Sequence, residues 1–225
     1  MPVAPSSSAA SFAQALDADL RAMDIARVGG DLALDFINTA EYRGTPQALE
    51  FLSSARRLLA WSHHAGLLGE PALTRLARQL AKQPRDGQRL LTSAIALRES
   101  LYSLFVNLTQ QRVPQSSALK PLNEALAAMT RHRLLHSAAG AIAWRWSDEG
   151  GAAAAVLGPP SLAAAQLLTA QPLHKLKQCP GCGWLFLDTS RNGLRRWCSM
   201  AYCGSTDKSR RQYRRRLDGA APTVR

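Results

Sequence analysis

The sequence predicts a mostly α-helical protein with one small β-hairpin, in which a helical N-terminal body precedes a treble-clef-like module built on four cysteines. Three observations support this fold class. Alanine and leucine dominate the composition and aromatic residues make up only 6% of it, which favours helices. Apolar residues repeat at three- and four-residue spacings over much of residues 47–130. All the cysteines fall within residues 179–203 with the spacing C-x2-C-x15-C-x4-C.

The N-terminal segment has the weakest pattern. Residues 1–11 are small and polar, and we expect them to be disordered. Residues 12–25 fit either a short Ala-rich helix or a loose segment. Two glycines and Asp31 then break the pattern, and the stretch LALDFINT follows. Over so short an apolar run, periodicity does not separate a strand from a buried helical turn.

Four helices are predicted next, because apolar positions recur with the helical period and Pro or Gly punctuates the intervals between them. Ser and Asp residues are expected to cap two of them through their side-chain oxygens. The predicted helices run from Gln47 to Gly66, from Pro71 to Pro84, from a cap at Asp86 to just before Pro114, and onward from a cap at Ser116 or Ser117.

The hydrophobic period changes from helical to alternating near Trp144. Trp144 and Trp146 alternate with smaller or polar residues, as in a half-buried strand. The turn sequence SDEGG follows, so residues 152–157 are predicted to return as the second strand of a hairpin. The Pro-Pro pair after them is expected to end this unit, and Ser161 to cap a last helix.

The spacing of the cysteines predicts a metal site. Zn²⁺ accepts four thiolates in a tetrahedron, and a site closed by four protein sulfurs folds the chain rather than catalysing a reaction. We therefore expect one structural zinc ion, with a redox-active dithiol at the first pair or an iron–sulfur cluster as alternatives. The predicted ligands are Cys179, Cys182, Cys198 and Cys203.

The residues around the cysteines predict how the metal module is built. The first pair is expected in a zinc knuckle between two strands, with Gly183 at positive φ just after it. The second pair is expected at the start of a helix. So small a module should depend on the metal for its folding.

A dense cationic run follows the last cysteine. Residues 174–217 contain eleven Lys or Arg and two Asp, a net charge of +9, whereas the whole chain carries +12. A basic helix on a metal-stiffened module fits a polyanion, so we predict DNA as the partner, with RNA binding or a merely solubilising tail as alternatives. The predicted contact residues are Arg195, Arg196, Lys208, Arg210, Arg211, Gln212, Arg214, Arg215 and Arg216.

Two stretches carry a resemblance to a known family. Residues 179–204 resemble the CGNR zinc finger, and GGDLALDFINT at residues 29–39 resembles the opening of the ABATE domain that precedes this finger in bacterial proteins. The resemblance covers about residues 25–217. The residue patterns place the helical body at residues 12–172 and the metal module at residues 173–217, with a flexible tail over residues 218–225. The resemblance implies that the body is an ABATE-like sensor domain and the module a CGNR-type finger with its basic helix.

The same resemblance implies a function. Proteins of this family are regarded as stress-induced transcription regulators, in which the finger binds DNA and the ABATE domain senses an unidentified small-molecule effector. The chain departs from the family at the tetrad Cys-Gly-Asn-Arg, because Ser205 and Thr206 stand where the family has Asn and Arg. We expect one of these hydroxyls to cap the basic helix.

Other polar residues suggest weaker candidate sites. His63 and His64 are expected at the surface, and His132 and His136 are four apart and would share a helix face. Asp35 and Asn38 fit either a helix cap or hydrogen-bonded turn, or the wall of a small-molecule pocket.

The absence of catalytic patterns favours a protein that is not an enzyme. No nucleophile–base pair, phosphate-binding glycine loop or paired catalytic carboxylates stand out in the sequence. A metabolite-binding protein or enzyme with a stabilising zinc tail is the alternative. There is no secretory signal pattern and no apolar run of about 18 residues, so we expect a cytoplasmic protein without a membrane partner, and a homodimer is one arrangement for the body.

Overall fold

The computed structural model describes residues 7–138, 140–170 and 173–219, and it confirms a mostly helical fold with small antiparallel strand pairs. The helices are α1 (Ser7–Arg21), α2 (Leu32–Ile37), α3 (Ala55–His64), α4 (Glu70–Lys82), α5 (Pro84–Thr109), α6 (Lys120–Thr130), α7 (Gly151–Ala170) and α8 (Ser205–Gly219). The strands are β1 (Ala40–Glu41), β2 (Leu49–Glu50), β3 (Arg133–Ala138), β4 (Ala141–Trp146), β5 (Leu176–Gln178) and β6 (Leu185–Leu187). They pair as β1–β2, β3–β4 and β5–β6.

The N-terminal segment is more ordered than its composition suggested. Helix α1 begins at Ser7, inside the segment expected to be disordered, and it packs against α3 and α4. Its Leu16 is buried in the common core, which gives the Ala-rich helix the apolar contact that its sequence alone does not reveal. Residues 1–6 lie outside the described part of the chain, as do residues 220–225 of the expected tail.

The stretch LALDFINT forms a buried helix rather than a strand. Asp31 caps α2, since its side chain accepts a hydrogen bond from the Ala33 N–H at 2.8 Å. Leu34, Phe36 and Ile37 are fully buried, and α2 packs against α5, α7 and β6. This short helix therefore lies at the centre of the molecule, between the helical body and the cysteine-rich module.

The predicted helix from Gln47 to Gly66 is shorter in the structure. Ser54 caps α3 by accepting a hydrogen bond from the Arg57 N–H, so the helix begins at Ala55. Leu49 and Glu50, near the start of the predicted helix, form β2 instead. This strand pairs with β1, with Ala40 opposite Glu50. The Glu50 carboxylate accepts a hydrogen bond from the Leu52 N–H and forms an ion pair with Arg98 of α5. These contacts hold the segment extended.

Two predicted helix caps are wrong. Helix α5 begins at Pro84, and Asp86 lies in its first turn, where it pairs with Arg89. Ser116 and Ser117 lie in a short 3-10 turn that leads into α6, rather than capping a helix directly.

The predicted hairpin has the right first strand but the wrong partner. Strand β4 pairs with β3, with Leu135 opposite Trp144, and residues 152–157 lie in α7. The run of alanines favours helix, and α7 buries it against α2 and α6. Because β3 contains His136 while His132 precedes it, these two histidines do not share a helix face.

Helix α7 runs through the Pro-Pro pair that was expected to stop it. Pro159 and Pro160 lie inside the helix, and Ser161 is buried within it and donates to the Leu157 carbonyl at 2.7 Å. The segment Asp148–Thr169 is long and apolar enough, by length and composition alone, to cross a membrane, which the sequence analysis did not recognise. Half of an 18-residue apolar stretch within this segment is buried inside the protein, as expected for a core helix.

Candidate metal centre and nucleic-acid interface

The first two cysteines lie in a knuckle between two paired strands, as predicted. Strands β5 and β6 are antiparallel with Leu176 opposite Leu187. Cys179 donates its N–H to the Trp184 carbonyl at 2.8 Å, and its own carbonyl accepts the Gly183 N–H at 2.9 Å. Gly183 has φ of 81°, which a residue with a side chain rarely adopts. The sequence CPGCG therefore turns tightly enough to place both sulfurs on one side.

The four cysteine sulfurs converge on one point. All four Sγ atoms lie within 4.8 Å of one another and all four residues are buried. The Cys182–Cys198 and Cys198–Cys203 sulfur separations are 3.6 and 3.7 Å. A tetrahedral zinc ion with Zn–S bonds of about 2.3 Å requires sulfurs roughly 3.8 Å apart, so the site fits one zinc ion. Because the four sulfurs fill the coordination sphere, the metal is a structural staple.

Close backbone approaches explain the glycines of the module. A Cβ on Gly181 would lie 3.1 Å from both the Cβ and the sulfur of Cys203, a tight contact, so glycine lets the knuckle pack closely on the second cysteine pair. A Cβ on Gly204 would lie 2.8 Å from the Met200 sulfur. Met200–Gly204 forms a π-helical turn that carries Cys203 into α8, and Cys198 lies in the irregular segment before it.

The loop between the cysteine pairs is organised by Asp188, which the sequence analysis did not single out. Its buried carboxylate accepts the Lys177 ammonium at 2.5 Å, the Ser190 N–H at 3.0 Å and the Arg195 N–H at 3.0 Å. The hydrogen bond from Lys177 is the largest cause of a pKa for Asp188 far below its usual range. An ionised Asp188 thus ties both ends of the loop to β5.

Arg195 is the second organiser of this loop. Its guanidinium lies 4.4 Å from the centre of the Phe186 ring and donates to the carbonyls of Trp197 and Cys198. It also donates to the Val28 carbonyl of the body at 3.3 Å. Much of its hydrogen-bonding capacity is therefore used inside the protein.

The module is joined to the body by hydrogen bonds to its backbone groups, made by one side chain and by the main chain of the body. The Asn38 side chain donates to the Leu185 carbonyl at 2.8 Å and accepts the Leu185 N–H at 2.9 Å, as a neighbouring strand would. The Leu187 N–H donates to the Gly29 carbonyl and the Tyr42 N–H to the Cys182 carbonyl. The motif at residues 29–39 is thus the surface on which the zinc knuckle docks.

Asp35 supports the same docking surface from within the body. Its carboxylate accepts the Gly29 N–H at 2.9 Å, and Gly29 in turn receives Leu187 from β6. A Cβ on Gly29 would lie 2.7 Å from the Leu34 Cβ, which explains the glycine. Burial raises the pKa of Asp35 to about 6. In the structure, Asp35 makes the local hydrogen bond that was one of its two interpretations, whereas the Asn38 side chain bonds across the interface to Leu185.

A buried ion network lies beside this interface and was not predicted. The Arg98 guanidinium is almost fully buried and binds the Glu50 carboxylate through two donors, at 2.7 and 2.5 Å. Glu99 bridges it to Arg43, which also donates to the carbonyls of Ile37 and Ala40. Burial alone would lower the pKa of Arg98, but the two carboxylates outweigh it and raise that pKa.

The basic helix α8 is exposed. Every side chain from Lys208 to Arg214 is exposed, and within the described contacts α8 packs chiefly on the π-helical turn that precedes it. Asp207 pairs with Arg211 at 2.8 Å, and the Arg196 guanidinium lies 5.1 Å from the centre of the Trp197 ring. Arg215 and Arg216 continue the helix, but their side chains lie outside the described part of the structure.

The expected helix cap at Ser205 or Thr206 is wrong. The Ser205 hydroxyl donates to the Ala201 carbonyl at 2.7 Å, and the Thr206 hydroxyl donates to the Tyr202 carbonyl at 3.0 Å. An N-cap oxygen accepts from backbone N–H groups instead. Because the π-helical turn runs directly into α8, these residues already lie inside a continuous helix and their hydroxyls bond backward to it.

The remaining histidines take part in local contacts. His63 Nδ1 bonds with the Leu68 carbonyl at 2.8 Å, and His64 Nε2 bonds with the Ile25 carbonyl at 3.1 Å. His63 is half-buried and His64 is exposed, and both lie in the last turn of α3.

Comparison with protein families agrees with this architecture. The ABATE family, described as "putative stress-induced transcription regulator", matches residues 30–171. The CGNR zinc finger family matches residues 175–216, which include the four cysteines and most of α8. No curated protein matches the chain. Since the first match alone covers more than half of the chain, the protein belongs to the ABATE family and carries a C-terminal CGNR zinc finger.

Proposed function

We propose that this protein is a DNA-binding transcription regulator, in which the zinc module presents α8 to DNA. The observation that carries the proposal is the exposure of α8, whose side chains from Lys208 to Arg214 all face solvent and include four cations. Like charges crowded on one helix repel each other, and phosphate groups convert that repulsion into attraction. The family descriptions of a regulator and a zinc finger point the same way.

The proposed contacts divide into two kinds. The α8 cations bind phosphates, while Gln212 and neighbouring arginines reach base edges in the major groove. Arg196, stacked on Trp197, extends the cationic surface, and Arg195 adds charge while bracing the loop. The full set of proposed contacts is Arg195, Arg196, Lys208, Arg210, Arg211, Gln212, Arg214, Arg215 and Arg216.

We further propose that the two matched regions act as distinct functional units in a cytoplasmic protein. The body, over residues 12–172, would sense an effector or dimerise, and the finger, over residues 173–217, would bind DNA. Their shared hydrogen bonds support mechanical coupling, because a change in the body around residues 29–42 reaches the knuckle directly.

The test is a salt series of binding to random duplex DNA, measured by fluorescence anisotropy with the zinc-loaded chain. Neutralising about six phosphates predicts a slope of roughly −5 for log K against log salt. Replacing Lys208, Arg210 and Arg214 by Gln should weaken binding and make the slope shallower by about 3. The same charge change at the exposed Arg78, Lys82 and Arg85 of the body is the matched control.

Two outcomes would reject the DNA proposal. One is no binding at low salt. The other is equal loss of affinity for the α8 variant and the body variant, since that would show only the effect of net charge. Structured RNA competing better than duplex DNA at every salt concentration would reassign the surface to RNA.

The finger as a purely stabilising tail is the second candidate, and the shared interface favours it. The finger supplies the Leu185 partner of Asn38 in the body. It also buries Trp184, whose ring N–H donates to the Ala40 carbonyl at 3.0 Å, so contacts with the finger stabilise the body. The salt series decides between the candidates, because a stabilising tail predicts no dependence on the α8 cations beyond net charge.

A further inference from the structure

A cleft lies where the body, the zinc knuckle and α8 meet. It encloses about 190 Å³, and a smaller hollow of about 110 Å³ adjoins it through Glu41, Tyr202 and Cys203. The residues that line the main cleft are Glu41, Tyr42, Pro180, Gly181, Trp197, Tyr202, Cys203, Thr206, Asp207 and Arg210. A molecule bound here would touch the body and the basic helix at the same time.

Glu41 is a half-buried carboxylate that lacks a partner. No hydrogen bond or ion pair to its side chain occurs among residues 7–138, 140–170 and 173–219, although it borders both hollows. A carboxylate in such a place is costly unless a cation or a donor satisfies it.

The walls of the cleft are aromatic. Tyr42, Trp197 and Tyr202 line it from three different segments. Tyr42 has φ of 51°, which is uncommon for a residue with a side chain, and its N–H is bonded to the Cys182 carbonyl. The knuckle therefore holds Tyr42 in a strained backbone conformation that places it on the cleft. Aromatic faces of this kind attract ammonium and guanidinium groups.

The charge of the cleft also favours a cation. Four thiolates around one divalent ion carry a net charge of −2, and Cys203 forms part of the wall. Glu41 adds a further negative charge, while Asp207 is already paired with Arg211. Among the residues that the structure describes, Arg210 is the cation that borders the cleft, and its side chain is exposed.

We propose that this cleft binds a small organic cation through an ammonium or guanidinium group, with Glu41 as its counter-ion and Tyr42, Trp197 and Tyr202 as its aromatic walls. The volume admits a headgroup and a short chain rather than a polymer. Binding as such does not depend on the proposed DNA function. The coupling of cation binding to DNA binding does depend on that function. A cation bound to Glu41 would neutralise the electrostatic attraction between this carboxylate and Arg210, so Arg210 would bind phosphate more readily and DNA affinity would rise.

The binding test uses isothermal titration calorimetry on the full, zinc-loaded chain with choline, agmatine and, as the anionic control, acetate. We expect saturable binding of at least one of the two cations and none of acetate. Glu41→Gln should weaken cation binding by roughly 10- to 100-fold, as loss of a charged partner predicts. Tyr202→Leu should also weaken it, whereas Glu124→Gln on exposed α6 should not change it.

Zinc content and thermal unfolding of each variant show whether it is folded, and Glu41→Gln should match the parent in both. If neither cation binds at millimolar concentration, the proposal is wrong. It is also wrong if Glu41→Gln binds as the parent does, or if acetate binds in place of the cations, since that would make Arg210 the determinant.

A DNA-binding arm separates this proposal from the function above. We expect saturating cation to tighten DNA binding several-fold in the parent, and Glu41→Gln to bind DNA more tightly without added cation. Cation binding in a protein that ignores DNA would reject the proposed function and leave the site standing. If the protein binds DNA but neither cation, the cleft proposal is rejected and the proposed function stands.

Discussion

Three polar side chains join the parts of this protein by bonding to main-chain groups. The Asn38 side chain bonds to the Leu185 main chain as a paired strand would. The Asp188 carboxylate accepts the N–H groups of Ser190 and Arg195, near the two ends of the loop between the cysteine pairs. Arg195 in turn donates from that loop to the Val28 carbonyl. Each supplies a hydrogen-bond partner to main-chain groups, which cost free energy when folding removes them from water without one. At this scale, the interface is a matter of individual hydrogen bonds.

Asp35 makes stability depend on pH in a direction opposite to that of most carboxylates. Burial raises its pKa to about 6 from an ordinary 3.8. Because the folded pKa is the higher one, the protonated group stabilises the fold at low pH, and this contribution is lost as the pH rises through about 6. The loss develops between about pH 4 and about pH 6 and amounts to at most roughly 3 kcal/mol.

Asp35→Asn should therefore raise the free energy of unfolding at pH 8 by up to roughly 3 kcal/mol, and by about half of that at pH 5. The amide still offers an oxygen to the Gly29 N–H, so the local geometry is kept. Urea unfolding of variant and parent at both pH values measures the difference, in which any pH effect on the zinc site cancels. The same difference at pH 5 and pH 8 would contradict the assignment.

At the scale of elements, α7 shows how packing overrides a local signal. Two prolines remove two helical hydrogen bonds, yet the helix continues because its alanines are buried against α2 and α6. Gly158, just before the prolines, lies against the Trp146 ring: a Cβ there would be 2.4 Å from a ring carbon. The β3–β4 hairpin is thus anchored on α7 through one glycine.

Gly158→Ala should destabilise the protein by about 1–3 kcal/mol, the usual cost of overpacking, even though Ala favours helix by about 1 kcal/mol. In a Trp146→Ala background this cost should largely disappear, because the clashing ring is gone. Thermal or urea unfolding of the two single variants and the double variant measures the coupling. Additive effects would show that the proline-rich backbone, and not Trp146, is the cause.

At the scale of the whole molecule, the zinc finger and the body share one core. The buried cluster that contains Phe36 and Leu101 also contains the four cysteines, Trp184 and Phe186. A metal that staples the finger therefore supports the body as well. The two matched families describe separate sequence units, but the structure packs them together.

Removing zinc with a chelator at neutral pH should unfold the finger and also speed amide hydrogen exchange in α2 and β1. The body loses its partners for Asn38, Gly29 and Ala40 when the finger unfolds. Hydrogen exchange followed by mass spectrometry measures both regions. Unchanged protection in α2 and β1 after complete zinc loss would contradict a shared core.

Asn38→Ala tests the same interface without touching the metal. It leaves the Leu185 N–H and carbonyl unpaired in a buried site, so we expect a loss of about 2–4 kcal/mol with one zinc ion still bound. Asn123→Ala on exposed α6 is the matched control and should change stability by less than about 0.5 kcal/mol.

Several features were predictable because they depend on local residue types. Cysteine spacing predicted the zinc site and its closed character, and Gly183 was expected at positive φ for the knuckle turn. Apolar periodicity predicted α4 and α5 to within a few residues at their starts. The resemblance of residues 29–39 and 179–204 indicated the family that the comparisons show.

Other features required the fold. β3 does not alternate between apolar and polar residues, because Leu134 and Leu135 are adjacent, so alternation did not identify it as the partner of the strand that contains Trp144. α7 continues through two prolines because of what surrounds it, and β2 is extended because Glu50 binds Arg98 on α5. Arg98 has no local signature, since its partner Glu50 lies far away in sequence, and Asn38 was noted without its distant partner Leu185. Asp188 bonds to residues nearer in sequence, but only the folded loop brings them to one carboxylate.

By itself, the sequence determined the metal chemistry, the helical character and the location of positive charge, because these follow from residue type and near-neighbour spacing. Only the tertiary structure decided that the motif at residues 29–39 is the docking surface for the finger, and that Glu41, Trp197 and Arg210 border one cleft. The physical reason is that buried polar groups must find partners, and the chain brings those partners together only when it is folded.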